Sequence, residues 1–230
     1  MMLIETISVT IVADGLIHLD QYTQEELSNA LAENSNLMFL AGIGSMLQIL
    51  GGMAIPIFAF LLVEGFRNTS NYRNYLLSVV LFALISEVPF DLAMNQKLWD
   101  FSGQNAMVSM AISLLMLYFL DMTKENQRFS GKLMRVCVVL GAVIWAALFR
   151  AEYGLCIVLL VAIFHLFYTK NVWKTILGCL VSLLYITGPL AFYGIWCYKG
   201  ESTNKIPKYA YYAFYPLHLL ILALIVRFFF

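Results

Sequence analysis

Carboxylates embedded in apolar sequence are the residues of this chain best suited to chemistry. Glu64 and Glu87 lie within the two long apolar stretches between residues 54 and 92, and Asp91 follows Glu87 at i,i+4 spacing. Because an ionisable side chain in lipid is costly, it faces a protein interior or a polar cavity. We therefore expect these acids to line a polar interior, where Glu87 and Asp91 could orient a substrate or hold its charge.

Two histidines could act together with such acids. Asp14 and His18 stand four residues apart near the N-terminus and would share one face of an α-helix. His218 lies in a very apolar C-terminal segment, near mid-depth. A carboxylate fixes an imidazole and raises its basicity, which suits proton abstraction from an acceptor and suits a proton relay equally well. The structural alternative for His218 is a hydrogen-bonded packing residue.

A further group of side chains is predicted at the outer mouth of the molecule. Arg150 and Tyr153 fall between two apolar segments, and Tyr215 lies near the start of the last one. All three are candidate substrate-binding residues. The alternative is that Arg150 pairs with Glu87 and Asp91 and only holds helices together.

Composition places the chain in a membrane. It has 230 residues, of which 61% are hydrophobic and only 12% are charged, whereas soluble domains carry about 25% charged residues. This length fits one polytopic domain over residues 1–230, expected in the bacterial inner membrane. The net charge of zero gives no case for nucleic acid. The four cysteines lack the CxxC spacing of a zinc site, so no metal is expected.

An all-α bundle of about eight transmembrane helices must position these residues. A spanning helix needs about 20 apolar residues. We expect kinks or breaks at Gly51-Gly52 and Pro56, and again at Gly188-Pro189, because glycine and proline interrupt long helices. The candidate segments are residues 3–19, 37–66, 72–93, 105–120, 133–149, 153–168, 173–198 and 209–229.

The distribution of lysine and arginine sets the expected orientation. With both termini in the cytoplasm, nine of the 14 cations lie on the cytoplasmic side and five lie outside, in agreement with the positive-inside rule. The cytoplasmic set includes Arg67, Arg73 and Arg128, which could attract phosphates, and simple positive-inside topology explains them as well. Glu64 lies one turn from this side, where it could join the same site or pair with an arginine.

Several strings of sequence resemble the TraX-like family of polytopic membrane proteins. They are GMAIPIFAFLLVEGF, the Asn-Tyr-Arg-Asn-Tyr hairpin, LFALISEVPFD, the segment that begins at Asn105, and KYAYYAFYPLHLLIL. Their order and spacing fit the family from about residue 7 to residue 224. The founding member is associated with acetylating the N-terminus of conjugative pilin. The resemblance therefore implies a protein similar to membrane acyltransferases that use acetyl-CoA from the cytoplasm.

Compared residue by residue, this chain matches the family at some characteristic positions and differs from it at others. Gly15 stands where the family has a histidine after the acid of its first helix, which is Asp14 here, and Gly52 stands where the family often has an arginine. His18, one turn further on, could present the missing imidazole. The residues that match the family are Glu64, Gly65, Glu87, Pro89, Phe90, Tyr215, Pro216 and His218.

Together with the resemblance, these residues predict an integral-membrane acyltransferase that uses acetyl-CoA. The acceptor would be an amine or a hydroxyl of a peptide, a glycan or a lipid. The base would be His218 or the Asp14–His18 pair. The cytoplasmic arginines, with Glu64, would bind the donor.

Two other functions stay open. The departures at Gly15 and Gly52 favour a catalytically degenerate subunit, an assembly factor or an immunity factor that works with another membrane protein. A small-molecule or proton-coupled transporter is the third reading, because interrupted helices are typical of transporters, although the sequence has no internal repeat.

Overall fold

The computed structural model describes residues 2–18, 21–123, 128–198, 200 and 208–229. Within these ranges the regular structure is helical, apart from a single parallel β-bridge between Gln104 and Ala151. The predicted all-α class is confirmed. The helices are α1 (Met2–Ile7), continued by a π-helical segment (Ser8–Ile17), α2 (Gln24–Glu33), α3 (Ser35–Gly51), α4 (Ala54–Asn68), α5 (Tyr72–Asn95), α6 (Ala106–Met122), α7 (Phe129–Leu148), α8 (Gly154–Leu166), α9 (Asn171–Ser182), a 3₁₀ turn (Gly188–Leu190), α10 (Ala191–Cys197) and α11 (Lys208–Phe229).

Three helical stretches in the described part of the chain are long and apolar enough to cross a membrane. They are Ser35–Asn68, which contains α3 and α4, Tyr72–Asn95 and Phe129–Leu148. The predicted eight transmembrane helices are therefore not confirmed, although several apolar helices do indicate a membrane protein. The shorter apolar helices are Ala106–Met122, Gly154–Leu166 and Tyr212–Phe228.

The first helix break lies where the sequence predicts it. α3 ends at Gly51 and α4 begins at Ala54, after a two-residue turn. Glycine is required at position 51 because a Cβ there would overlap the side chain of Glu5, which packs against it from α1. Pro56 does not break the helix. It lies in the first turn of α4, where its missing N–H would have no intrahelical partner.

The predicted segment 173–198 is two short helices and not one span. α9 ends at Ser182, a run of turns follows, and the chain resumes as the 3₁₀ turn and α10. Gly188 packs directly on the carbonyl group of Ser182. The break therefore falls before Gly188-Pro189, because the chain must already have left the helix to bring Gly188 back onto it.

The two breaks touch one another. The Thr187 hydroxyl donates a hydrogen bond to the Ile49 carbonyl, near the end of α3. Gly52 lies against Tyr185, where an added Cβ would come within 3.2 Å of the tyrosine Cβ. Irregular backbone in an apolar bundle is tolerated only where protein or a polar cavity satisfies it. The contact between the breaks gives the Ile49 carbonyl such a partner.

The core lies between α4, α5, α6, α8 and α11. α8 is at its centre, since Val158, Leu160 and Val161 are completely buried, and Leu114 and Leu117 of α6 belong to the same apolar cluster. By contrast, more than half of the α7 residues are exposed, and most of these exposed residues are apolar, as expected of a helix that faces lipid. The start and the end of α6 lie at opposite ends of this bundle, and polar residues gather at each.

An exposed helix, α2, precedes α3. It begins with a capping box, in which the Thr23 hydroxyl accepts a hydrogen bond from the Glu26 N–H and the Glu26 carboxylate accepts one from the Thr23 N–H at 3.0 Å. The Thr23 hydroxyl also donates to the Glu26 carboxylate at 2.9 Å, and the hydrogen bonds from the Thr23 N–H and hydroxyl lower the pKa of Glu26 below its ordinary value. No residue of α2 is buried, so its own cap is what stabilises it.

Candidate functional site

Three carboxylates from distant parts of the sequence meet near the start of α6. Glu5 of α1 and Glu87 of α5 are buried, and Glu152, in the turn between α7 and α8, is half-buried. All three lie in the electrostatic surroundings of the Tyr215 hydroxyl on α11, which also faces the backbone N–H of Ala106. We call Glu5, Glu87 and Glu152 the acidic cluster.

Glu5 is fixed by a tyrosine. The Tyr153 hydroxyl donates a 2.6 Å hydrogen bond to the Glu5 carboxylate, and a bond of this kind to a charged acceptor is strong. Gly51, at the first helix break, packs against the Glu5 side chain. The ring of Tyr153 packs edge-on against Tyr185, in the second break, with ring centroids 5.3 Å apart. Both helix breaks therefore border the acidic cluster.

The turn that carries Glu152 is held by hydrogen bonds on both sides. The Glu152 N–H donates to the Gln104 carbonyl at 2.8 Å, and the Gln104 N–H donates to the Arg150 carbonyl at 3.2 Å. The Ser109 hydroxyl donates to the Glu152 carbonyl at 2.7 Å. Arg150 and Tyr153 both adopt left-handed backbone, with φ of 49° and 54°, which is uncommon outside glycine and persists only where surrounding structure enforces it. The fold thus holds Glu152 in one defined position.

Glu152 is the group of this cluster suited to proton transfer at neutral pH. Burial, reinforced by the neighbouring Glu5 carboxylate, raises the pKa of Glu152 from 4.5 to about 7. Interactions with the Tyr153 hydroxyl and with the backbone N–H of Ala106 offset part of that rise. A carboxyl group whose pKa lies near the working pH is an effective general base.

Asn105 joins Glu87 to the start of α6. Its side-chain carbonyl accepts a hydrogen bond from the Met107 N–H at 2.9 Å and so caps the helix. Its amide group donates to Oε2 of Glu87 and to the Ala83 carbonyl. The other carboxylate oxygen of Glu87, Oε1, is buried and has no hydrogen-bond partner among the described residues. That oxygen is available to a ligand.

Asp91 and Arg150 have structural contacts of their own. Asp91 accepts a 2.8 Å hydrogen bond from the Asp100 N–H and so holds the loop that leads to α6. Arg150 is exposed, and its guanidinium points to the Ser102 carbonyl at 3.5 Å. Among the residues that the structure describes, Arg150 forms no ion pair with Glu87 or Asp91. The alternative in which Arg150 neutralises those acids is therefore wrong.

His218 presents one ring nitrogen to the interior of the bundle. Its Nδ1 lies 2.9 Å from the Phe214 carbonyl, and because a carbonyl only accepts, Nδ1 carries the proton. Nε2 is then an unprotonated acceptor, and it is buried with no partner in the described part of the chain. The ring packs between Phe214 and Tyr215, 5.5 Å from the Tyr215 ring. His218 therefore has the tautomer of a base.

A match to a known protein family spans most of this chain. The family described as TraX protein matches residues 18–226. The chain belongs to the TraX family. Membership supports a membrane protein related to pilin acetylation. No curated protein and no solved structure matches the chain.

The TraX match begins at His18 and so leaves out the first helix. Asp14 lies in the π-helical segment Ser8–Ile17, and its side chain is outside the described part of the chain. His18 is exposed and has left-handed backbone, with φ of 54°. The expected pair on one α-helical face is not present in that form, because the helix ends at Ile17 and His18 turns away from its path.

The residues predicted to bind the donor lie at the other end of the bundle. The guanidinium of Arg67 stacks 3.8 Å above the ring of Tyr168, whose hydroxyl interacts with Glu64. Arg73 is exposed in the first turn of α5, and Arg128 is the N-cap of α7. Tyr168 thus brings Glu64 and Arg67 into one cluster.

Sequence reasoning missed the roles of Glu5 and Glu152 in this site. Glu5 offered a usable signal, since it is an acid in an apolar segment, of the same kind as Glu87. Glu152 offered a weaker one, because it lies in a predicted turn where exposed acids are ordinary. Its burial depends on the β-bridge with Gln104, which no local pattern indicates.

Proposed function

We propose that this TraX-family protein is an integral-membrane acyltransferase. It transfers an acetyl group from acetyl-CoA to an amine or a hydroxyl of a peptide, a glycan or a lipid. The observation that carries the proposal is the acidic cluster, which gathers three carboxylates and two tyrosine hydroxyls inside an otherwise apolar bundle. Ionisable groups inside a membrane are costly and are functional-site candidates by default. The family's association with pilin acetylation supports acyl transfer as the reaction.

Glu152 is the general base in this proposal. Its carboxylate takes a proton from the acceptor while the acceptor nitrogen or oxygen attacks the thioester carbonyl. The new C–N or C–O bond forms, the C–S bond breaks, and the CoA sulfur leaves and takes up a proton. Tyr153 holds Glu5 near Glu152, and the charge of Glu5 keeps the proton affinity of the base high. Such a base contributes roughly 10²–10⁴-fold to the rate.

Glu87 and His218 supply two further hydrogen-bond acceptors for the substrate. Glu87 Oε1 and His218 Nε2 are both buried without a partner among the described residues. The proton of an acceptor ammonium or hydroxyl can be bound by Glu87 Oε1, because the other oxygen is already held by Asn105. His218, whose ring contacts Tyr215, is the competing candidate for the base.

In this proposal the protein is a multi-pass protein of the cell membrane with its C-terminus and the Arg67 end of the bundle in the cytoplasm. The start of α1 lies at the other end with the acidic cluster, because α1 carries Glu5, so this orientation does not keep the predicted cytoplasmic N-terminus. The nine-to-five distribution of cations supports that orientation. It puts the Arg67 end of the bundle on the side where acetyl-CoA is made and the acidic cluster toward the outer side. Donor and acceptor then approach from opposite faces.

Turnover by the purified full chain tests the proposal. The protein is reconstituted in liposomes with radiolabelled acetyl-CoA and three acceptor classes: a peptide amine, a sugar hydroxyl and a lipid headgroup. We expect transfer to one class, a loss of at least 100-fold in Glu152→Gln, and unchanged transfer in Glu26→Gln, which removes an exposed acid of α2. Circular dichroism and gel filtration show that each variant is folded.

The variants also separate the two candidate bases. Loss of turnover in His218→Ala with retention in Glu152→Gln would move the base to His218. A folded wild-type protein with no transfer to any acceptor class would overturn the acyltransferase, whether or not the protein binds CoA. If that inactive protein always co-purified with a second membrane protein, the degenerate subunit or assembly factor would be favoured instead.

A proton-coupled transporter is the second candidate, and the helix breaks favour it specifically. Both breaks border the acidic cluster through Gly51 and Tyr185, and interrupted helices beside buried acids are typical of transporter sites. A substrate counterflow assay in the same liposomes, with and without a pH gradient, distinguishes transport from transfer.

A further inference from the structure

A second polar site lies at the end of the bundle opposite the acidic cluster. A cavity of about 440 Å³ opens between the ends of α4, α6 and α8 and the start of α5. Its wall combines a guanidinium, an imidazole, hydroxyl groups and aromatic rings, and it shares no residue with the acidic cluster. Concave sites with convergent polar groups are the default place for a ligand.

Arg67 and the start of α5 make one side of this cavity suited to an anion. The Arg67 guanidinium carbon lies 3.8 Å from the centroid of the Tyr168 ring. The guanidinium also interacts with the Tyr168 hydroxyl, and because arginine has five N–H donors, others can bind an anion in the cavity that Arg67 lines. Thr69 and Ser70 line the wall immediately before α5 begins at Tyr72. The 24-residue α5 places the positive end of its dipole here. Cation, hydroxyls and helix N-terminus together are the groups that bind phosphate.

Aromatic rings form another side of the cavity. Tyr72 and Tyr118 stack with ring centroids 4.9 Å apart and ring planes 12° from parallel. Tyr118 remains 42% exposed, so part of its surface can receive a further planar ring. His165 lies against Phe66 with centroids 5.9 Å apart and adds a polar edge to the same wall. The wall therefore offers a stacking surface close to an anion site.

We propose that this cavity binds the nucleotide part of the acyl donor, with a phosphate at Arg67 and the base stacked on Tyr118. This assignment rests on the proposed function, because the cavity would be the donor site of the proposed acyl transfer. Asp121 also lines the cavity and interacts with another group of the protein, and its carboxylate opposes the binding of phosphate. Of the donor-binding residues predicted from the sequence, this assignment keeps Arg67. It adds Tyr118 and His165, which the sequence analysis did not single out.

Calorimetric titration of the purified full chain in detergent tests the assignment. CoA, ADP and inorganic phosphate are the probes. We expect CoA and ADP to bind, and Arg67→Gln to weaken both roughly tenfold or more, the effect of losing a charge-assisted hydrogen bond. Tyr118→Leu should weaken CoA and ADP but leave phosphate binding unchanged. Lys132→Gln, which removes an exposed cation outside the cavity, should bind all three as the parent does.

Three results would decide against the cavity. The first is that neither CoA nor ADP binds. The second is that CoA and ADP bind, and that Arg67→Gln and Tyr118→Leu both leave this binding unchanged. The third is that Lys132→Gln weakens binding as much as Arg67→Gln does, which would indicate only general electrostatic attraction. Arg67→Lys keeps the charge and serves if Arg67→Gln fails to fold. Failure of the proposed function looks different: CoA binds in the cavity, the variants weaken it, and no acyl transfer occurs.

Discussion

Replacing Glu152 by glutamine should stabilise the fold at alkaline pH while it abolishes turnover. Glutamine has the shape of the protonated carboxyl group and cannot ionise. Burial and the Glu5 charge raise the pKa of Glu152 from 4.5 to about 7, so the ionised side chain is unfavourable in the folded protein. Removing the ionisation removes that unfavourable contribution.

The sign and size of the effect follow from proton linkage. Because the folded protein binds the Glu152 proton more tightly than the unfolded chain does, stability falls as pH rises from about 4.5 to about 7 and then levels off. A shift of about 2.5 pH units at about 1.4 kcal/mol per unit gives about 3.5 kcal/mol as an upper value above pH 7. Below pH 4.5 the parent and the variant should be equally stable. The titratable groups that face Glu152 are Glu5, Tyr153, Tyr185 and Tyr215.

Thermal unfolding in detergent from about pH 3 to about pH 8.5, followed by circular dichroism, measures this difference. Glu26→Gln is a control of opposite sign, because its capping hydrogen bonds lower the pKa of Glu26. The parent therefore has a stabilising contribution above pH 4.5 that the control lacks, and the contribution disappears as the pH falls. A Glu152→Gln variant that is less stable than the parent at pH 8, or equally offset at every pH, would refute the argument that the carboxylate is held in an unfavourable environment.

Two further substitutions test what positions the cluster. Asn105→Ala removes the cap of α6 and leaves Glu87 buried without its amide donor, which should lower the free energy of unfolding by about 2–4 kcal/mol, measured by chemical denaturation. Gly51→Ala should lower the unfolding temperature because its Cβ overlaps Glu5. Gly42→Ala, whose Cβ meets nothing within 4 Å, should leave it unchanged or raise it; equal effects from both alanines would contradict the packing.

The parts of the fold that sequence predicted well are those fixed by local chemistry. Gly51-Gly52 marks a break because a helix interior seldom carries two adjacent glycines, and the chain does break there. The segment 173–198 was misread because its apolar composition is continuous, while its backbone is set by the packing of Gly188 on Ser182. Hydropathy reports which residues avoid water and does not report where a helix ends.

In the candidate site, too, some residues are indicated by the local sequence and others are brought in only by tertiary packing. Glu87, Tyr153 and Tyr215 were singled out from residue type and position, and the structure brings all three to the start of α6. Glu5 and Glu152 join them only through tertiary contacts: the Tyr153 hydrogen bond and the β-bridge beside it. No periodicity in the sequence encodes either contact, because the residues involved are 148 positions apart in the hydrogen bond and 47 positions apart in the β-bridge.

The distance between the two polar ends limits the kind of donor that could serve the proposed reaction. Tyr72, at the cavity, and Glu87, in the acidic cluster, are 15 residues apart on α5, which is about 22 Å at ~1.5 Å per residue. A donor whose phosphate lies near Arg67 must therefore carry its acyl group on a long flexible arm to reach Glu152. Coenzyme A has such an arm, and acetyl phosphate does not. A compact donor cannot occupy the cavity and react at the acidic cluster. Turnover with acetyl phosphate at the rate seen with acetyl-CoA would therefore show that the cavity is not the donor site of the reaction.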